Sequence, residues 1–392
     1  MAGAGTSASE DHLSELAISI RRRFEGLSLP SDCCIFTVPK RLRQTNEEAY
    51  TPRVVAIGPY HRHNPSLMLM EDHKLLYLRN FLRHDQNYRL EHYIQRVKSW
   101  EYDARNCFDK PINLDSNHFT EMILLDGIFV IQLLLMYRHP QKMLYDQIFG
   151  NPWILTDVRR DMTLLENQIP FFIIQRLFEM ALGTHQQDMP ELLELVCQFF
   201  KTVTMVERLL DLAMASEVKH FVHAISLSFL TSVSKDLDKS NRETKFPRAQ
   251  RSWTEPLFRN MIAFEQCYHQ KDKYLIDYMT FMESLVDTPG DAKLLIDEGI
   301  IDNWLSNKES AMQIINSFGV GAKVSVDFYF NNLSHELINH CHRPYNKWKA
   351  TFKRDYCSSP WVVISVIAAV LLLLLTVVQT VCSVISLKNL PF

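Results

Sequence analysis

The chain has 392 residues, more than one hydrophobic core usually needs, and its 47 % hydrophobic and 22 % charged residues are an ordinary globular balance. Only 11 glycines, against roughly 7 % in average usage, and abundant Leu, Met and Phe favour helices over a turn-rich β-sandwich. A net charge of -3 supplies no broad basic field, so nothing in the charge points to nucleic acid.

The start, MAGAGTSASEDHLSEL, lacks the basic opening and apolar core of a secretory signal, and Ala2 stands where myristoylation needs glycine. Residues 1–9 are small and polar and read as disordered. Ser9 can cap a helix that aligns Leu13, Leu16, Ala17, Ile20 and Phe24, with Arg21, Arg22 and Arg23 near its end, where cations suit the dipole. That face is expected to pack onto the body; the alternative is a helix lying on a membrane surface.

Two β-like runs follow, CCIFTVP (33–39) and RVVAIGP (53–59), each rich in β-branched residues and closed by proline. SLMLMEDHKLLYLRNFLRH returns to helical spacing, with Lys74 expected to snorkel, and a further helix is expected around 88–105. FTEMILLDGIFVIQLLLMYRHP (119–140) is too short and too interrupted, at Asp126-Gly127, to span a bilayer and reads as a central buried helix. Residues 157–182 read as two helical pieces divided at Pro170, and 190–215 is amphipathic. The charged, aliphatic-poor run 234–253 reads as an exposed loop. Beyond it, Leu275, Tyr278, Met279, Met282 and Leu285 mark a helix. Thr288-Pro289-Gly290-Asp291 starts the next, and Ser306 to Glu309 caps another that should end by Gly319. A last helix is expected in AKVSVDFYFNNLSHELINHCH.

From Trp361 through Leu373 to Leu387 no residue is charged. A helix of that length rises about 40 Å, enough for a hydrocarbon core of roughly 30 Å. Its Ser and Thr hydroxyls can bond back to helix carbonyls, which leaves Gln379 as the costly group and a candidate helix–helix contact. Lys347, Lys349, Lys353 and Arg354 precede the span and only Lys388 follows it, so the positive-inside rule puts the main domain in the cytoplasm, at the plasma membrane or an endomembrane. The basic cluster also favours anionic lipid. A glycan on Asn332, in the sequon Asn332-Leu333-Ser334, would mark the alternative, an extracellular or lumenal domain.

Motifs that carry chemistry are scarce. The eight cysteines (33, 34, 107, 197, 267, 341, 357 and 382) form no C-x-x-C pair and read as free thiols in a reducing compartment. No phosphate-binding, dinucleotide-binding or nucleophile-elbow motif occurs. His335 and His340 sit at i, i+5, off the i+4 spacing of a zincin, while His342 at i+7 shares the face of His335; Glu217, His220 and His223 also share a face. No cofactor and no metal site is assigned. Asp126, Asp161 and Glu166 lie in apolar settings where an enzyme can tune an acid and a base. The structural alternative has Asp126 satisfying backbone donors beside Gly127, with Glu166 and Asn167 capping the piece that starts near Pro170.

Five ordered blocks resemble the plant family called domain of unknown function 247. They are DCCIFTVPKRLRQTNEEAYTPRVVAIGPYHRHNPSLMLMEDHKLLYLRNFL (32–82), EMILLDGIFVIQLL (121–134), RDMTLLENQIPFFIIQRLF (160–178), EPLFRNMIAFEQC (255–267) and LLIDEGIIDNWL (294–305). The charged run 234–253 stands where members have a longer stretch before the LFRN block. The resemblance implies a C-terminal transmembrane helix and supplies no catalytic residues. The association of some grass members with self-incompatibility implies recognition or signalling.

The expected fold is mainly α: a multi-helix globular domain over 10–355 with minor short β segments, one transmembrane helix at 361–387 and a short tail at 388–392. The expected function is non-enzymatic recognition through an unknown protein partner, tethered to a lipid bilayer. The alternative is a membrane-bound hydrolase using Asp126, Asp161 or Glu166.

Overall fold

A computed structural model describes residues 15–21, 32–84, 88–138, 146–182, 192–204, 217–237, 254–268, 273–298, 308–324, 327–356 and 360–388. Residues 1–9, residues 238–253 of the loop expected at 234–253, and Ser306 and Asn307 of the expected cap lie outside them; residues 234–237, expected in that loop, instead continue a helix. The chain forms two compact units, Met1–Ser325 and Val326–Phe392.

The first unit is built around one apolar helix. Helix α1 spans Met68–His84, α2 Leu90–Ser99, α3 Glu101–Asn106 and α4 Ser116–Tyr137. Asp115 caps α4 by accepting from the Asn117 and His118 N–H groups. The helix is apolar on every side and is correspondingly wrapped on every side, by α1, α2, α3, α6 (Phe171–Leu182) and α7 (Leu192–Thr204). Asp126-Gly127 does not interrupt it: a Cβ at Gly127 would sit 2.5 Å from Leu177 Cδ1, so the glycine lets α6 approach.

A second group of helices completes this unit. It comprises α8 (Phe221–Leu237), α9 (Thr254–Cys267), α10 (Tyr274–Leu285), α11 (Pro289–Asp297) and α12 (Lys308–Phe318), with α9 against α8, α10 and α12. Thr288 and Asp291 form the expected capping box. The helix expected around 88–105 is broken at Trp100 into α2 and α3. Before Pro170 the helical piece is α5 (Pro152–Asp161), and 162–170 is irregular.

The expected minor β segments do not form a sheet. Among the described residues the run 33–39 makes one isolated parallel bridge, Ile35 to Phe108, and 53–59 pairs with no strand. Buried side chains take the place of a partner strand there. Residues 15–21 are helical, and Leu16, Ile18 and Ile20 are exposed rather than packed onto the body; Ser9, Leu13 and Phe24 fall outside the described residues.

The second unit is α13 (Asn331–His342), α14 (Pro344–Tyr356) and α15 (Pro360–Lys388). Ser365, Thr376, Thr380 and Ser383 each donate to the carbonyl four residues back, at 2.7–3.0 Å, as expected of hydroxyls in an apolar helix.

Candidate functional site: a buried carboxylate hub and an exposed apolar helix

The segment DMTLLENQ, 161–168, links α5 to α6 and buries a run of polar side chains. A polar run in a core must find partners, and it finds them in the backbone of the β-like segments. Glu166 Oε1 accepts from Val38 N at 2.7 Å, its other oxygen pairs with Arg43, and His61 Nε2 lies 3.3 Å away. Asp161, with no exposed surface, accepts from the N–H groups of Arg53, Val54 and Val55 at 2.7–3.0 Å. Arg160 adds a 2.9 Å ion pair to Asp161 and donates to the carbonyls of Thr51 and Glu48. Asn167 accepts from Ile57 N at 2.7 Å and donates to Val55 O at 3.0 Å.

Asp126 extends the hub from α4. It accepts from Gly58 N at 2.7 Å and from Lys74 Nζ at 2.6 Å. Lys74 does not snorkel to water: it is 1 % exposed, and its ammonium also reaches Ala56 O and Glu71. Gly58 has φ +78°, and a Cβ there would lie 2.3 Å from Gln168 O, so glycine is required on both counts. Gln168 ties the hub onward by accepting from Phe221 N at 3.0 Å. Asn260 of α9 accepts from Leu165 N at 2.8 Å and donates to Ala49 O at 2.8 Å.

Burial pushes both Asp126 and Asp161 above the usual carboxylate range, against the pull of Lys74 on the first and of three backbone N–H groups on the second. Burial pushes Glu166 the same way, but the hydrogen bonds from His61, Arg43 and Val38 outweigh it and hold Glu166 low. The three carboxylates meet on one feature, the backbone of residues 38–58, each on a different part of it. Local caps do not account for them: Glu166 and Asn167 bind residues more than one hundred positions away, not the start of α6. What the arrangement does chemically is hold an extended chain that has no sheet. Sequence reasoning missed Lys74, Arg160, Gln168 and Asn260; the one signal was polar residues of several types crowded into an apolar block.

Among the described residues no three His, Cys, Asp or Glu side chains are arranged to hold a metal ion. His335, His340 and His342 are exposed on α13, and Glu217 is exposed. His220 and His223 are buried: His220 Nε2 donates to Cys34 O at 2.9 Å, and the His223 ring packs on Phe264 and Tyr268.

Among the described residues two helices are long and apolar enough to cross a membrane, Ser116–Tyr137 and Trp361–Ile385. The first is the core helix α4. Along the second, α15, Trp361 and Leu373 are 79 % and 67 % exposed, and the helix extends through Leu387. Lys347, Lys349, Lys353 and Arg354 all fall on the α14 backbone.

The model of a family described as "Plant protein of unknown function", DUF247, matches residues 35–253 and 249–375. The Arabidopsis thaliana UPF0481 protein At3g47200 is 25 % identical over 91 % of this chain and 87 % of its own length. The putative UPF0481 protein At3g02645 of the same plant is 31 % identical over 38 % of this chain and 27 % of its own. No solved structure matches the chain.

Proposed function

The chain belongs to the plant family DUF247, and from that premise we propose a membrane-tethered, non-enzymatic protein of recognition or signalling that acts through a protein partner. The observation that carries the tether is α15, whose apolar span Trp361–Ile385 has no buried residue in its apolar window and so leaves most of its surface for lipid. Helix α14 adds support. Tyr345, Trp348 and Phe352 fall within a narrow arc at i, i+3 and i+7 and are exposed. The helical positions of Lys347 and Arg354 flank that arc on one side, and those of Lys349 and Lys353 on the other. An aromatic face between basic edges suits the headgroup layer of an anionic leaflet. The same basic residues orient the main domain toward the cytoplasm.

Recognition, rather than hydrolysis, is supported by the state of the three carboxylates, whose oxygens are committed to backbone N–H groups, to the buried Lys74 and Arg160 and to the half-buried Arg43. A grass-type self-recognition role is the finer form of this reading. The test is proximity labelling of the full chain in its own tissue beside a chain cut at Ser359. A set of neighbours lost on truncation is the expected result. An unchanged set, or full chain dissolved without detergent, overturns the tethered reading, and a glycan on Asn332 overturns its orientation.

A further inference from the structure

The structure assigns Cys34 and Cys107 a role the tether does not need: we propose that they are a paired dithiol that a peroxide closes to a disulfide, joining the extended segment covalently to the turn after α3. The isolated bridge sets the geometry. Ile35 and Phe108 are bridged in parallel, and the two cysteines immediately precede them. Cys34 N and Ile35 N both donate to Cys107 O, at 2.9 and 2.8 Å, and Asp109 N returns a bond to Ile35 O at 3.0 Å. Parallel neighbours lie about 4.8 Å apart, inside the window of about 4.4–6.8 Å that a disulfide spans between Cα atoms. Cys107 closes α3 with helical backbone, φ -75° and ψ -16°, so that turn and not a strand places its side chain. The two thiols are near enough to shift each other's ionisation, while Cys107 Sγ donates to Asp103 O at 3.4 Å.

The surroundings select this pair over the other cysteines nearby. Each thiol acts on the other, raising Cys34 and lowering Cys107, and the ammonium of Lys219 favours charge on both. Cys33 and Cys267 are pushed up by burial, to about 12 and about 11, with Asp109 opposing charge on each. Cys33 and Cys267 are more exposed, but within the pair Cys107 is 7 % exposed and Cys34 only 1 %, so of these two an oxidant meets Cys107 first. The Cys107 thiolate attacks the O–O bond of hydrogen peroxide, forms a sulfenic acid and releases hydroxide, which takes up the thiol proton as water. The Cys34 sulfur then attacks the Cys107 sulfur and expels a second water. Two thiols lose two hydrogens and one peroxide becomes two waters.

The closed loop runs from residue 34 to 107 and encloses all the backbone that the carboxylate hub holds. A cross-link over so long a loop restricts the unfolded chain and raises the melting temperature. The test uses full-length chain in detergent micelles, wild type and Cys33→Ser, the latter so that the adjacent cysteine does not confuse the mapping. Each is treated with hydrogen peroxide, unfolded in iodoacetamide and mapped by mass spectrometry. The expected product is a Cys34–Cys107 cross-linked peptide, two hydrogens lighter than its parts and opened by dithiothreitol, from protein with a raised Tm. Cys107→Ser should abolish both product and shift; if that variant fails to fold, the Cys33→Ser map decides alone. Recovery of both cysteines fully alkylated, of Cys107 as sulfinic acid beside a free Cys34, or of a link to Cys267 overturns the proposal.

Discussion

Helices α4 and α15 are both long and apolar enough to cross a bilayer, yet 78 % of the apolar window of α4 is buried within the protein and none of that of α15 is. Three features of sequence separate them. Helix α4 carries a carboxylate, Asp126, for which the fold supplies Lys74; α15 carries no charge between Trp361 and Leu387. Helix α4 has a glycine where another helix comes against it, and a side-chain cap at Asp115. Helix α15 has hydroxyls that satisfy themselves on their own backbone. Apolarity alone does not tell a core from a membrane span; the polar residues embedded in it, and where their partners come from, do.

The comparison breaks most easily with one misplaced charge in each helix. Ile128→Lys places an ammonium with no partner at a site with no exposure. A cost of about 3–5 kcal/mol follows for an uncompensated buried charge, comparable with the whole stability of a marginal domain. Loss of the cooperative thermal transition of the first unit is the expected outcome. Leu373→Lys should leave that transition where it was. Its cost falls on the bilayer step, about 2.5–3.5 kcal/mol at a span centre, and is read as a shift of protein from the membrane to the detergent-free fraction. Equal effects on folding from both changes would erase the distinction.

Asp126 tests the same idea one level finer. Asp126→Leu takes away the carboxylate shared by Lys74 and Gly58 N, leaving the buried ammonium only Ala56 O and Glu71, and should lower the urea midpoint by the equivalent of about 3 kcal/mol. Adding Lys74→Met should recover most of it, because replacing both members of a buried pair by apolar groups is often near neutral. A catalytic Asp126 predicts the reverse: lost activity, with little change in the midpoint. Asp161→Ala, which orphans three backbone N–H groups and takes from Arg160 its carboxylate, belongs in the same range.

These residues also show what the sequence made legible. The helices around α4, the capping box at Thr288 and the apolar span were readable because their signals are local: a period, a cap, a length. That Asp126, Asp161 and Glu166 sit in apolar settings was readable too. Their backbone partners were not, because those lie 68 to 128 positions away. The runs 33–39 and 53–59 misled for the same reason. Their β-branched composition describes an extended, half-buried chain correctly, but a strand also needs a neighbouring strand. Here side chains of the 161–168 block substitute for it.

A milder probe is pH, to which the two helices should respond differently. Burial depresses His220 to about 3 and His223 to about 4. The unfolded chain therefore binds more protons between those values and about 6.5, and the first unit loses stability on acidification through that window, by up to about 1.4 kcal/mol per pH unit for each ring. Neither nitrogen of His223 has a hydrogen-bond partner among the described residues, so His223→Phe should flatten the acid limb at little cost near neutrality. Glu265 acts with the opposite sign. Burial raises it to about 7, so its contribution is present below about 4.5 and fades as pH rises through 7; Glu265→Gln should flatten that limb. Urea midpoints from pH 4 to 8 check both. Membrane retention through α15, which has no charged residue in its span, should stay constant over the same range.

The smallest effect expected is at Gln379, the polar counterpart in α15 of Asp126 in α4. A side-chain amide in hydrocarbon needs a partner, and no residue within its own helix is donor or acceptor to it among the described bonds; Ser383 bonds its backbone carbonyl, not its amide. A second copy of the span is the natural source, since amides hydrogen-bond across transmembrane helices. Such contacts average about 0.6 kcal/mol, because the separated helices also find other partners. Gln379→Leu should therefore weaken self-association in vesicles by only about threefold, read by energy transfer between labelled chains, with insertion slightly improved. The contrast with Asp126 is quantitative: the core has one fixed partner for its buried charge and loses several kcal/mol without it. The bilayer leaves a neutral amide many ways to be satisfied and loses little. An effect at Gln379 as large as that at Asp126 would mean that α15, like α4, is packed in a specific protein interior.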